Sequence, residues 1–65
     1  MKETYDIIIK KLEKDYNKFV SEINEIIEDV EVNPYIKARY DRLTGAKNYC
    51  KDLTEFFKNV RNNIK

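Results

Sequence analysis

The feature that most constrains the fold is an apolar heptad repeat along nearly the whole chain. From Tyr5 to Val30, every a and d position of the heptad holds an aliphatic or aromatic side chain. Side chains spaced three and four residues apart lie on one face of an α-helix. The residues expected to line the interface between helices, and between subunits, are Tyr5, Ile9, Leu12, Tyr16, Phe19, Ile23, Ile26, Val30, Ile36, Leu43, Ala46, Cys50, Leu53, Phe57 and Val60.

Asn33 and Pro34 divide the repeat into two helices. Asn is a favoured N-cap, and Pro is favoured at the first helical position, where its missing N–H costs nothing. Pro also disfavours a helical conformation at the residue before it, so one continuous rod is not expected. We expect a first helix over residues 4–30 that begins near Thr4, a turn at 31–33 and a second helix over 34–62.

A short link between helices of similar length predicts an antiparallel hairpin. The chain has 65 residues, which is enough for one small all-α domain with a marginal core. Both apolar faces are wider than one neighbouring helix covers, because apolar residues also occupy flanking e and g positions. We therefore expect two copies to form a homodimeric four-helix bundle. The alternative is a subunit that folds only with a different protein.

Three residues of the second helix break the pattern of large apolar side chains. Arg39 is the charged residue at a d position, and we expect it to reach acids at the end of the first helix. Cys50 is expected to be a small buried residue, with an intermolecular disulfide as the alternative. Gly45 is either tolerated on an exposed face or needed for a close contact or a local bend.

The sequence argues against an enzyme. It contains no His and no Gly-rich phosphate loop, and Cys50 has no visible base to activate it. We expect no cofactor, no metal and no small-molecule substrate. No signal peptide or membrane-spanning segment is recognisable, and a single Cys fits a reducing compartment, so a cytoplasmic location is expected.

Charge is distributed unevenly between the two helices. Residues 1–33 carry five Lys against nine acids, and residues 34–65 carry eight basic residues against three acids. One side of the second helix is basic and also carries Tyr40. We interpret this side as a solvated surface, and the alternative is that it contacts nucleic acid or an acidic protein. Its basic residues are Lys37, Lys47, Lys51, Lys58, Arg61 and Lys65.

The leading functional hypothesis is a small interaction protein, such as a regulator, inhibitor or assembly adaptor of a phage, plasmid or other accessory element. Aromatic side chains dominate protein contacts, so the candidate anchors are Tyr35, Tyr40, Tyr49 and Phe56. The alternative is a dimeric helical bundle that binds RNA or DNA through the basic side of the second helix.

Overall fold

The computed structural model describes residues 2–64, which form two long α-helices joined by a short turn. Helix α1 spans Lys2–Ile26, a 3₁₀ turn follows at Ile27–Asp29, and helix α2 spans Pro34–Asn62. The start of α1 lies beside the end of α2, so the helices are antiparallel. The rod measures 52 × 14 × 12 Å. These elements confirm the predicted all-α hairpin.

The first helix begins and ends earlier than expected. The helix already includes Lys2, so the prediction that Thr4 is its N-cap is wrong. Its α-helical part stops at Ile26 and tightens into the 3₁₀ turn, and no basic residue lies in the last turn. Glu28 and Asp29 follow directly, and negative charges are unfavourable at the negative end of the helix dipole. A tightened last turn is a common way to end such a helix.

Asn33 and Pro34 start α2 as predicted. Asn33 has extended backbone angles, and its Oδ1 accepts hydrogen bonds from the backbone N–H of Tyr35 at 3.0 Å and of Ile36 at 3.4 Å. These N–H groups have no hydrogen-bond partner within the helix, so the cap supplies the acceptor that both of them lack. This cap determines where the chain reverses.

The hairpin has a thin core. In residues 2–64 the buried side chains are Ile9, Ile23, Cys50 and Thr54. Ile9, Ile23 and Cys50 belong to the predicted interface and are already covered within one chain. The other twelve predicted interface residues are half-buried, and none is exposed. One hairpin therefore leaves much of its own inner face in partial contact with solvent.

Helix α2 is rotated relative to its expected orientation. Thr54, at an e position, is buried, whereas Arg39, at a d position, is exposed. The Thr54 hydroxyl donates to the backbone oxygen of Cys50 at 2.7 Å, and this local bond allows a polar side chain to be buried. As a result, α2 contacts α1 with its a and e positions, and its g positions turn towards solvent.

Candidate interaction surface

One side of the hairpin is held by ion pairs between the two helices. Arg61 donates to Asp6 at 2.7 Å, and Lys58 lies 3.9 Å from Glu13. Asp6, Glu13 and Arg61 are e positions, and e positions of antiparallel helices face one another. We call this side the polar flank. The pairing of Asp6 with Arg61 was not foreseen, although matching e positions across a hairpin is a signal that points to it.

The predicted basic residues are partly neutralised. Lys58 and Arg61 face carboxylates of α1, and Lys37 lies 3.4 Å from Asp41 on its own helix. Lys51 is exposed and Lys47 is half-buried. Lys65 lies outside the described residues. The structure therefore does not present these positive charges as one continuous free row.

A cleft of about 340 Å³ opens on the polar flank between the helices. Its charged and polar lining is Glu13, Tyr16, Asn17, Lys51, Thr54, Glu55 and Lys58. Lys58 is paired with Glu13, and the Thr54 hydroxyl is already used within its helix. Residues 2–64 contain no group of three or more potential metal ligands. The polar groups of the cleft are thus partly used in contacts between and within the two helices.

The opposite side of the hairpin is apolar. Tyr49 and Phe56, at g positions of α2, are 65% and 58% exposed. Beside them lie half-buried d residues of both helices, including Leu12, Phe19 and Leu53. We call this side, formed by the d and g positions of both helices, the apolar flank. Exposed aromatic side chains grouped on one side of a molecule are candidates for an interaction site.

Phe56 is held in place although it is exposed. Its ring packs edge-to-face on Phe57 with a centroid distance of 5.4 Å. The ring of Phe57 in turn lies beside that of Tyr5 of α1, with a centroid distance of 6.1 Å. Edge-to-face packing is a favoured aromatic geometry. Phe56 is therefore a pre-positioned anchor, and little side-chain freedom is lost when a partner covers it.

The four candidate anchors do not share one surface. Tyr49 and Phe56 lie on the apolar flank, and Tyr35 occupies the same g row near the turn, where it is 87% exposed. Tyr40 is at an e position and is half-buried on the other side. The structure also exposes Val32 at the turn, which the sequence analysis did not select.

The apolar flank also carries charged groups near the turn. Arg39 and Arg42 are exposed at d and g positions of α2, and Glu22 is half-buried at a g position of α1. Within residues 2–64, neither arginine forms an ion pair. The expected contact of Arg39 with acids of α1 is thus not formed in a single chain, because Arg39 is exposed, whereas the other d residues of α2 are half-buried.

The remaining predicted features have simple local environments. Cys50 is free and buried, as expected, and its burial argues against a disulfide between chains. A Cβ atom placed on Gly45 would meet no other atom within 4 Å. Gly45 is therefore on the open surface and does not serve a close helix contact.

Comparison with known proteins found no matching family model, no similar characterised protein and no similar solved structure. Neither helix of residues 2–64 has the length and apolar character needed to cross a membrane.

Proposed function

We propose that this protein is a small non-enzymatic interaction module that works as a homodimer, with two hairpins joined through their apolar flanks into a four-helix bundle. The observation that carries this proposal is the exposed pair Tyr49 and Phe56 beside half-buried d residues. A two-helix hairpin has one internal interface, and a second copy would give each helix a second neighbour.

The amount of exposed surface supports self-association. The chain exposes 5259 Å², whereas a compact monomer of 7.9 kDa exposes about 4400 Å². The excess of roughly 850 Å² is close to the area of roughly 800 Å² that each partner buries in a standard interface. The radius of gyration of 14.9 Å likewise exceeds the value of about 11 Å for a compact domain of this length.

The bundle would leave the turn end free for a protein partner. Val32 is 78% exposed there, and Ile27 is also exposed. Tyr35, at the first g position of α2, is 87% exposed and lies beyond the end of α1 at Ile26, outside the part of the apolar flank that both helices form. An exposed aromatic residue with aliphatic neighbours is a typical anchor for protein contacts. Such a surface suits a regulator, inhibitor or adaptor that masks part of a larger protein.

The single buried Cys50 requires no oxidising compartment, which supports a cytoplasmic setting.

The ion pairs favour a protein partner over nucleic acid. Lys58 and Arg61 are engaged by carboxylates of α1, so phosphates would have to compete for them. A titration with RNA and duplex DNA at low salt, where phosphate contacts are strongest, separates the two classes. We expect no binding. Tight binding that weakens steeply with salt would instead support a dimeric bundle that binds RNA or DNA.

Light scattering over a concentration series tests the dimer directly. We expect about twice the monomer mass of 7.9 kDa at micromolar concentration. Phe56→Ser on the apolar flank should shift the protein towards monomer. Ile7→Ser is the matched control, because Ile7 is 70% exposed at an f position on the outer surface. A folded monomer at all concentrations would overturn the proposal, and an unfolded chain would indicate a different protein partner.

A further inference from the structure

We infer that the second copy docks with both turns at the same end of the bundle, so that α1 of each chain faces α2 of the other. This inference rests on the proposed self-association through the apolar flank. The alternative places the turns at opposite ends, and then α1 faces α1 and α2 faces α2. The charged and aromatic residues of the two g rows distinguish these arrangements.

Contacts at the open end of the hairpin establish which residues lie at the same height. Asp6 contacts Arg61 and Tyr5 contacts Phe57, and the two contacts bracket the register: counted from them, Arg42 is level with residue 25 or with residue 20 of α1. Both helices rise by about 1.5 Å per residue, so equal steps towards the turn keep the two helices in register. Arg42 is thereby level with the stretch of α1 around residue 22.

The g rows of α1 and α2 are complementary at each height. At the midpoint of the two counts, Phe56 is level with the stretch around Ile8, Tyr49 with that around Asp15, and Arg42 with that around Glu22. When both turns are at one end, each α2 row faces the α1 row of the other chain at that height. Phe56 then makes an apolar contact with Ile8, the Tyr49 hydroxyl lies opposite the Asp15 carboxylate, and Arg42 forms an ion pair with Glu22. Each contact occurs twice by symmetry.

The opposite arrangement brings like groups together. Asp15 lies near the middle of α1, so two copies of this carboxylate would meet close to the symmetry axis. Glu22 of one chain would face the stretch around Ile8 of the other, and Arg42 would face the stretch around Phe56. Unpaired charges would then be placed against apolar side chains, which is unfavourable.

The same-end arrangement also accounts for Arg39 and Arg42. Both are exposed on the apolar flank and form no ion pair within residues 2–64 of their own chain. In the proposed dimer they lie opposite the acidic end of the other chain's α1, where Glu22 and Glu25 are found. The partner copy thus supplies the carboxylates that the hairpin does not bring to these guanidinium groups.

A distance measurement separates the two arrangements. A spin label is attached at Glu31→Cys, beside the turn, in a Cys50→Ala background so that each chain carries one label. Bundle helices lie about 8–10 Å apart, so two turns at one end give a label separation on the order of 20 Å. Turns at opposite ends of a rod 52 Å long give a separation of roughly 40 Å or more. The longer distance in a stable dimer would overturn the inference and leave the proposed dimer intact.

Charge reversal gives an independent test. Arg42→Glu and Glu22→Arg should each raise the dimer dissociation constant by about tenfold, because each puts like charges face to face. The double variant should recover most of the affinity. Lys51→Glu on the polar flank is the control and should leave the constant unchanged. Circular dichroism checks that each variant remains helical. If the double variant loses as much dimerisation free energy as the two single variants together, the pairing of Arg42 with Glu22 is contradicted. A wild-type protein that stays monomeric would overturn the proposed function as well.

Discussion

The Arg61 guanidinium lies 2.7 Å from the Asp6 carboxylate and joins the last turn of α2 to the second turn of α1. Its hydrogen bond spans 55 positions of sequence. Both side chains are partly exposed, so the pair is partly screened by solvent. Its structural effect is to fix the register of the two helices at the open end of the hairpin.

Breaking this pair should have a small but measurable effect. We expect a double-mutant cycle with Asp6→Ala and Arg61→Ala to give a coupling free energy of about 0.5–1 kcal/mol in unfolding at low salt. The coupling should fall at high salt, because exposed charges are screened. The matched pair Glu13 and Lys58, at 3.9 Å, should give a smaller value. Equal couplings for the two pairs would contradict the geometric argument.

Thr44 and Thr54 should respond oppositely to replacement by Val. Thr44 Oγ1 is buried and has no hydrogen-bond partner in residues 2–64, so Thr44→Val should raise the free energy of unfolding by about 1 kcal/mol. Thr54 Oγ1 donates to the Cys50 oxygen, so Thr54→Val should lower it by about 0.5–1 kcal/mol. Urea denaturation of both variants measures the difference, and a shift of the same sign in both would contradict this prediction.

Gly45→Ala should stabilise the hairpin. Gly45 lies inside α2 with no positive φ angle, and an added Cβ meets nothing within 4 Å. Alanine is favoured over glycine in a helix interior by about 1 kcal/mol. Thermal melts should show a higher midpoint at equal protein concentration. Ala38→Gly, also exposed in α2, is the reverse control and should lower the midpoint.

Loss of the Asn33 cap should destabilise α2. Asn33→Ala removes the acceptor for the N–H groups of Tyr35 and Ile36, and we expect a loss of about 1 kcal/mol in the free energy of unfolding. Asn33→Asp keeps an acceptor and places negative charge at the positive end of the helix dipole, so it should retain or exceed wild-type stability. Equal losses in both variants would show that the cap is not the cause.

The architecture was predictable because two strong local signals agree. The heptad repeat identifies both helices, and Asn33 with Pro34 marks the start of the second. The end of α1 was missed because the apolar pattern continues to Val30 while the charges beside it oppose the helix dipole. Periodicity alone does not reveal that conflict.

The candidate surface was predictable only in part. The g-row aromatics Tyr49 and Phe56 were recognised as exposed candidates, and the structure exposes them. Arg39 was placed against acids of α1 because it occupies a d position near the turn, but it is exposed. Thr54 was not selected from the sequence, yet it is buried, and its hydroxyl donates to a backbone oxygen of its own helix. With Thr54 buried, the g residues of α2 are left exposed on the apolar flank.

The turn that begins at the Asn33 cap also implies an order of folding. Contacts near this turn close short loops, whereas the contact between Asp6 and Arg61 closes one of 55 positions, and the entropy of loop closure rises with loop length. The hairpin should therefore zip from the turn towards the chain ends. The Asp6–Arg61 contact then forms last in folding, and the open end of the hairpin is the part that unfolds first.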